Sequence, residues 1–299
     1  HGGAGRMSRR PVVVVTGGSA GIGLAAAVEL ARRGAEVVLL GRHEGRLAGA
    51  VRRVGEAAGG RTPRAYRADF ADLAQVREVA GRLAADLERI DVLVNNAGLL
   101  APRPGARSVD GFDLTMQVNH LAGFLLAHRL RDRLRRPPGE PPGRLITTGS
   151  VAEAWGSLDP DDPGRPRARY RSRWLAYGAS KQANLLFTVG AARRWAADGI
   201  VPTCVFPGLV RSRFAPTSPL FTVGKLLPVV VTSPRQGADT IVWLASDGVG
   251  EPGGYYYRRS PFPATPRAQD PARADRLWRA TLHTLNLPPE PPEPPNPEP

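Results

Sequence analysis

Covalent cross-links are the first thing this sequence does without. Its single cysteine, Cys204, can form no intrachain disulfide, which suits a reducing, cytoplasmic compartment. No apolar run approaches the roughly 18 residues that a membrane helix needs, and no secretory leader is expected. No metal is expected either. Aromatic residues make up only 6% of the chain. That scarcity matters because the formal net charge of +14 would otherwise raise nucleic acid as a partner. The arginines are spread over predicted helix faces, as in Arg32-Arg33, Arg52-Arg53 and Arg131 to Arg136. No stacking-aromatic platform lies between them, so a solvated basic surface is expected and no nucleic acid. The cluster Arg165 to Arg173 is the exception, placed where it could meet an acidic substrate group or carrier.

Lysine is nearly absent as well: Lys181 and Lys225 are the only two among 41 basic residues. Lys181 closes the segment Tyr177-Gly178-Ala179-Ser180-Lys181. At i and i+4 of a helix its ammonium lies on the same face as the Tyr177 phenol. A neighbouring cation favours phenolate and lowers a phenol pKa from its ordinary value of about 10. Tyr177 is therefore a candidate proton donor and acceptor near neutral pH.

The start of the chain supplies a second motif. Pro11 to Thr16 is a short β-branched run that reads as a buried strand. It feeds into Thr16-Gly17-Gly18-Ser19-Ala20-Gly21-Ile22-Gly23, and Leu24 to Arg33 then reads as a helix. Strand, glycine turn and helix in this order aim free N–H groups and a positive helix end at a phosphate.

Thr16-Gly-x-x-x-Gly-x-Gly23 together with Tyr177-x-x-x-Lys181 resembles the short-chain dehydrogenase/reductase superfamily. The segment Asp91-Val-Leu-Val-Asn-Asn-Ala-Gly98 resembles the family's fourth strand and following turn, where Asn96, Ala97 and Gly98 would lie along the cofactor. Asn119 resembles the catalytic asparagine whose helix backbone holds a water in the proton relay. Ser150, closing Arg144-Leu-Ile-Thr-Thr-Gly-Ser, resembles the serine that hydrogen-bonds the substrate oxygen. Pro207-Gly208-Leu209-Val210-Arg211-Ser212 resembles the turn that meets the nicotinamide. Within the superfamily, Ala176 to Phe187, Leu158 to Arg173 and the late Arg276-Leu277-Trp278 helix are similar to the retinol-dehydrogenase-like branch, which includes the WW-domain oxidoreductase.

The resemblance implies an α/β chain with a single-domain Rossmann fold. The alternation of patterns predicts a doubly wound, seven-stranded parallel sheet with helices on both faces, its strands near 12–16, 36–40, 64–68, 91–95, 144–149, 201–206 and 254–257. Residues 1–10 read as an N-terminal extension, with His1 to Arg6 an appended leader before a natural start at Met7. Residues 11–287 form the dehydrogenase domain, and 288–299 a proline-rich, extended, disordered tail. The family's two long helices, near 111–135 and 177–196, often form a homodimer face.

Cofactor choice turns on the second strand's end. An acidic residue there binds the ribose 2′-hydroxyl of NAD, whereas arginine accommodates the 2′-phosphate of NADP. Here Gly41 replaces the carboxylate and Arg42 follows, so NADP is expected over NAD; Asp69 and Phe70 would flank the adenine. Gly17, Gly18, Ser19, Ala20, Gly21, Ile22 and Gly23 would hold the pyrophosphate. Tyr177, Lys181, Pro207, Gly208, Val210 and Ser212 would stand along the nicotinamide side. Residues 209–234 form an apolar loop that either packs on its own domain or closes over an apolar ligand. Leu99, Leu100, Trp155, Phe206, Leu209, Phe214 and Phe221 are the expected pocket residues. The leading expectation is an NADP(H)-dependent oxidoreductase acting on an apolar, bulky ketone, aldehyde or alcohol. A redox-neutral cyclase or isomerase on the same fold is the alternative, and a cofactor-sensing protein is disfavoured by the intact Asn119, Ser150, Tyr177 and Lys181.

Overall fold

The structure, a computed structural model, describes residues 9–164, 170–210, 231–248 and 250–290. The β-branched run at the start forms β1 (Val12–Thr16), buried along its whole length as a central parallel strand must be. From it the chain alternates through α1 (Gly21–Arg32), β2 (Glu36–Gly41), α2 (Glu44–Ala57), β3 (Arg64–Arg67), α3 (Leu73–Asp86) and β4 (Val92–Asn95). A broken helical run follows: α4 (Leu114–Met116), a π-helical turn (Gln117–Leu121), α5 (Ala122–Arg129) and α6 (Arg131–Leu134). Next come β5 (Gly143–Thr148), a 3₁₀ turn (Val151–Trp155), α7 (Arg173–Trp195) and β6 (Ile200–Val205). The last part holds β7 (Leu209–Val210), β8 (Val231–Thr232), α8 (Pro234–Ser246), β9 (Tyr255–Tyr257), β10 (Ser260–Pro261), α9 (Pro266–Gln269) and α10 (Pro271–Thr284).

The main sheet runs β3-β2-β1-β4-β5-β6-β9-β10. All seven expected strands are present and parallel. The eighth, β10, pairs antiparallel with β9 and corrects the count. Its tight turn places two consecutive arginines at positive φ, Arg258 at 49° and Arg259 at 60°. Such hairpin turns ordinarily carry Asn-Gly, and Arg-Arg carries no such local signal. Arg259 is held there from outside: its Nε donates to Asp239 at 2.8 Å, and its backbone N–H donates to Thr240 Oγ1 at 3.2 Å.

Strand order reverses between β1 and β4, and ligands of doubly wound sheets bind at the strand carboxyl ends beside that reversal. One core packs between the sheet and α3, α5, α7 and α10, the other against α1, α2 and α8. The first is closed by Trp278 of α10, only 2% exposed. Its ring lies 4.8 Å from Phe124, 5.5 Å from Trp195 and 5.8 Å from Phe187. Ala122 to Ala127 are all buried within the single chain. On the helices near 111–135 and 177–196, where the homodimer face is expected, α10 packs over part of the apolar surface from within the chain.

The start of the expected tail is also placed differently. Glu290 accepts from Trp278 Nε1 at 2.9 Å and from Arg131 Nη1 at 3.0 Å, and stands 3.3 Å from His128 Nε2. Burial raises its pKa, but His128 and Arg131 outweigh that and hold the carboxyl below its ordinary value. Glu290, inside the expected 288–299 tail, is thus fixed to α6 and α10; residues 291–299 lie outside the described residues.

His120, in the π-helical turn, is 1% exposed, and its Nε2 lies 3.2 Å from Thr281 Oγ1 of α10. Burial pulls its pKa down to about 3, only partly opposed by Asn184. Below pH 6.5 the unfolded chain takes up a proton that the folded chain refuses until about pH 3. Stability should therefore fall as pH drops through that window, by about 4–5 kcal/mol in all from this group. Thermal melts from pH 7 to pH 4 check this; His120→Gln should flatten the acid loss, and an identical slope in both proteins would refute the assignment.

Candidate active site

The nucleotide end is built around Thr16. Its side chain donates to Val94 O at 3.2 Å and accepts from the N–H groups of Asn96 and Ala97, both at 3.0 Å. Asn96 returns a bond from Nδ2 to Thr16 O at 3.1 Å, so the turn Asn96-Ala97-Gly98 is locked to the glycine loop. Gly17 has φ 64°. A side chain at Gly23 would run into the Gly17 carbonyl, so only glycine lets the helix close on the loop. Ala20 caps α1 without a side-chain hydrogen bond, and the first turn holds no acidic residue. Ser19, Ala20, Gly21 and Ile22 thus surround an uncapped, positively polarised helix end that suits a phosphate.

Beside it, at the end of β2, Arg42 is exposed and its Nε lies 3.3 Å from His43 Nε2. Gly41 pairs in register with Arg67 of β3, and Arg67 Nε donates to Arg42 O at 3.2 Å. Desolvation, then Arg46 and Arg42, hold the His43 pKa below its ordinary value, with Asp69 opposing them. Arg67 and Arg46 were missed by the sequence reading. For Arg67 the cue is register between neighbouring strands, which needs the sheet order; Arg46, on α2, follows Arg42 by four residues. Asp69 and Phe70 are less available than expected. Asp69 folds back to accept from Ala71 N–H at 3.0 Å, and the Phe70 ring is 7% exposed within the core.

The four expected catalytic residues converge from three elements. Ser150 lies two residues past β5 and caps the 3₁₀ turn, accepting from Ala152 N–H at 3.2 Å. Tyr177 and Lys181 share one face of α7, with Nζ 5.5 Å from the phenol ring centroid. Lys181 is 4% exposed and donates to Thr148 O at 2.9 Å. Asn119 lies in the π-helical turn, a feature common at functional sites. Its Oδ1 accepts from Leu99 N–H at 2.8 Å, and its Nδ2 donates to Leu99 O and Ser180 Oγ, both at 3.0 Å. Its side chain thus clamps the Leu99 backbone to α7.

The electrostatics differ from expectation. Burial pushes the Tyr177 phenol up to about 12, with a hydrogen bond to Ser150 pulling the other way. Burial also draws the Lys181 ammonium down to about 8. The direction is opposite to the expected lowering by Lys181: desolvation raises the Tyr177 pKa, the hydrogen bond to Ser150 opposes it, and Lys181 Nζ donates to the Thr148 carbonyl. At neutral pH the site presents a protonated phenol hydrogen-bonded to a serine.

On the substrate side, Leu99 and Leu100 are half-buried, and Trp155 is 38% exposed. Phe206 packs with Tyr257 at 5.1 Å and Phe262 at 5.4 Å, two aromatics that the sequence reading missed. A cavity of about 260 Å³ opens beside Phe206 and Pro207, lined also by Gln236, Thr240, Tyr257 and Arg258. Its wall is more polar than the expected apolar pocket. Gly208 and Leu209 lead into the β7–β8 pair, in which Val210 faces Thr232 in register. Ser212, Phe214 and Phe221 lie outside the described residues, as does most of the 209–234 loop. Among the described residues no helix is long and apolar enough to cross a membrane.

Residues 11–159 match the family model for the short chain dehydrogenase. A protein of Streptomyces sp. (strain C5), bearing the provisional name daunorubicin C-13 ketoreductase DnrU, is 44% identical over 272 residues, 90% of each chain. The chain is a short-chain dehydrogenase. Human retinol dehydrogenase 13 is 32% identical to this short-chain dehydrogenase, over 92% of its length and 84% of the human chain. Among solved structures, a short chain dehydrogenase from Burkholderia cenocepacia J2315 in complex with NADP superposes with a TM-score of 0.65 at 28% identity. It covers 82% of this dehydrogenase and 94% of that chain. The Pseudomonas aeruginosa RhlG/NADP active-site complex gives a TM-score of 0.66, also at 28% identity, over 82% and 93%.

Proposed function

We propose that this short-chain dehydrogenase is an NADPH-dependent carbonyl reductase for bulky, largely apolar ketones or aldehydes, with Tyr177 as the general acid. The observation that carries this reading is the convergence of a buried Tyr177 phenol, hydrogen-bonded to Ser150, with Lys181 Nζ 5.5 Å from its ring. Reduction of a carbonyl needs a proton delivered to the oxygen, and such a phenol can supply it. Ser150 would hold that oxygen and stabilise the charge developing on it. Lys181, fixed by Thr148 O, would orient Tyr177 and return its proton.

The residues present fit NADP. The uncapped start of α1 suits the pyrophosphate, and Arg42 with Arg67 suits the 2′-phosphate. Bound NADPH would supply the hydride. The NADP complexes among similar structures and the ketoreductase name of the Streptomyces relative support the same assignment. A 340 nm assay over daunorubicin, retinal and simple aryl ketones tests it, with products identified so that a redox-neutral cyclisation or isomerisation is also seen. Redox-neutral products alone would replace this reading with that alternative.

Arg42→Ala is expected to weaken NADP binding by about one to two orders of magnitude, the worth of a charge-assisted hydrogen bond, and to leave NAD nearly untouched. Titration of both cofactors decides this; equal weakening would remove Arg42 from the 2′-phosphate site. Gly41→Asp is a poor route to NAD preference, because a Cβ there meets Ser19 Cβ at 3.0 Å and Leu47 Cδ1 at 3.2 Å.

A further inference from the structure

The turn that follows Ser150 is tied down on all sides. Glu153, in its middle, is 3% exposed. Its carboxylate accepts from the backbone N–H of Thr265 at 2.9 Å and from the Thr265 hydroxyl at 2.6 Å, 112 residues along the chain. Its carbonyl accepts from Gln182 Nε2 at 3.2 Å. Gln182 follows Lys181 in α7 and also donates to Gly156 O at 3.3 Å, while its oxygen accepts from Arg273 Nη2 at 3.1 Å. Arg267 Nη2 donates to Ala154 O at 2.6 Å. On its inner side the turn rests directly on α7 backbone, since a side chain at Gly178 would strike Ala152 O and one at Gly156 would strike Gly178.

We infer that Glu153 is a positioning residue, anchoring the Ser150 turn to Thr265 so that the Ser150 hydroxyl is held against Tyr177. The inference rests on the reading of Ser150 as the group that holds the substrate oxygen. Fold stability does not account for a carboxylate here. Burying one is costly, and well-packed apolar side chains commonly stabilise as much or more. What a two-oxygen acceptor adds is direction. Ser150 Oγ accepts from Ala152 N–H, one residue before Glu153, and Ser150 O accepts from the Glu153 N–H itself at 3.2 Å, so the turn couples the carboxylate's anchor to the serine. If the turn drifts, Ser150 drifts relative to Tyr177, and a displacement of about 1 Å at a reacting group costs about 10² in rate. Glu153 reaches the serine from the C-terminal segment, so Thr265 becomes part of the architecture of the site.

The test uses the full chain and the fastest substrate of the carbonyl panel in the 340 nm assay. Glu153→Ala should lower kcat by about 10–100-fold with the NADPH KM unchanged. Glu153→Gln can still accept from the Thr265 N–H and donate to its hydroxyl, and should restore kcat to within about threefold of the wild type. In a Ser150→Ala background, Glu153→Ala should cost nothing further, because the group it positions is gone. An equal drop in both backgrounds, an inactive Glu153→Gln, or a normal kcat in Glu153→Ala beside an inactive Ser150→Ala would overturn the positioning role. Full turnover by Ser150→Ala would overturn the reading of Ser150, and the role with it. Should Glu153→Ala fail to fold, Thr265→Val, alone and with Ser150→Ala, decides the same question.

Discussion

Tyr177→Phe is expected to fold, to bind NADPH with unchanged affinity, and to reduce the carbonyl probes about 10²–10⁴ times more slowly, the usual contribution of a positioned general acid. The substitution keeps the ring, its edge contact with Trp174 at 6.2 Å and its place on α7. What disappears is the proton and the hydrogen bond to Ser150. Cofactor fluorescence titration and a thermal melt separate chemistry from folding. Turnover near the wild-type level in a folded, cofactor-binding variant would end the role assigned to Tyr177.

The second large effect is expected from Lys181→Arg. Lys181 is buried against Thr148 O, and a planar guanidinium cannot take the place of a compact ammonium there without displacing its neighbours. A loss in kcat/KM of about 10² is expected, comparable with a 1 Å misplacement. The pH profile carries the finer information. Tyr177, near 12, stays protonated throughout the usual assay range, whereas Lys181 loses its charge near pH 8. In the wild type kcat/KM for reduction should therefore fall as pH rises through about 8, since that ratio reports groups of the free enzyme. In the arginine variant the charge persists, and the alkaline limb should move upward. Superimposable profiles would mean that Lys181 does not govern the alkaline limb.

Local patterns made much of this molecule legible. A β-branched run followed by glycines shows β1 and its turn because strand and loop chemistry are written within about ten residues. The Tyr177–Lys181 pairing needs only helical periodicity. Arg67 faces Gly41 only once β2 and β3 are paired, and Thr265 reaches Glu153 only when the chain has returned to the sheet edge. The hairpin at Arg258-Arg259 was hidden for a different reason: its positive φ values are held by Asp239 and Thr240, so tertiary contacts stand in for the usual turn residues. The Tyr177 pKa was misread because spacing reveals a neighbouring charge but not the loss of solvent around it.

The aromatic plug has a consequence for how the protein is made. Phe124, Phe187 and Trp195 are synthesised well before Trp278, the ring that covers them. Until α10 leaves the ribosome, the nascent chain carries a completed nucleotide-binding half beside an uncovered aromatic surface, the kind of surface that chaperones engage and that drives aggregation. The order of translation thus leaves the closing of this core to a helix made after every ring that it covers.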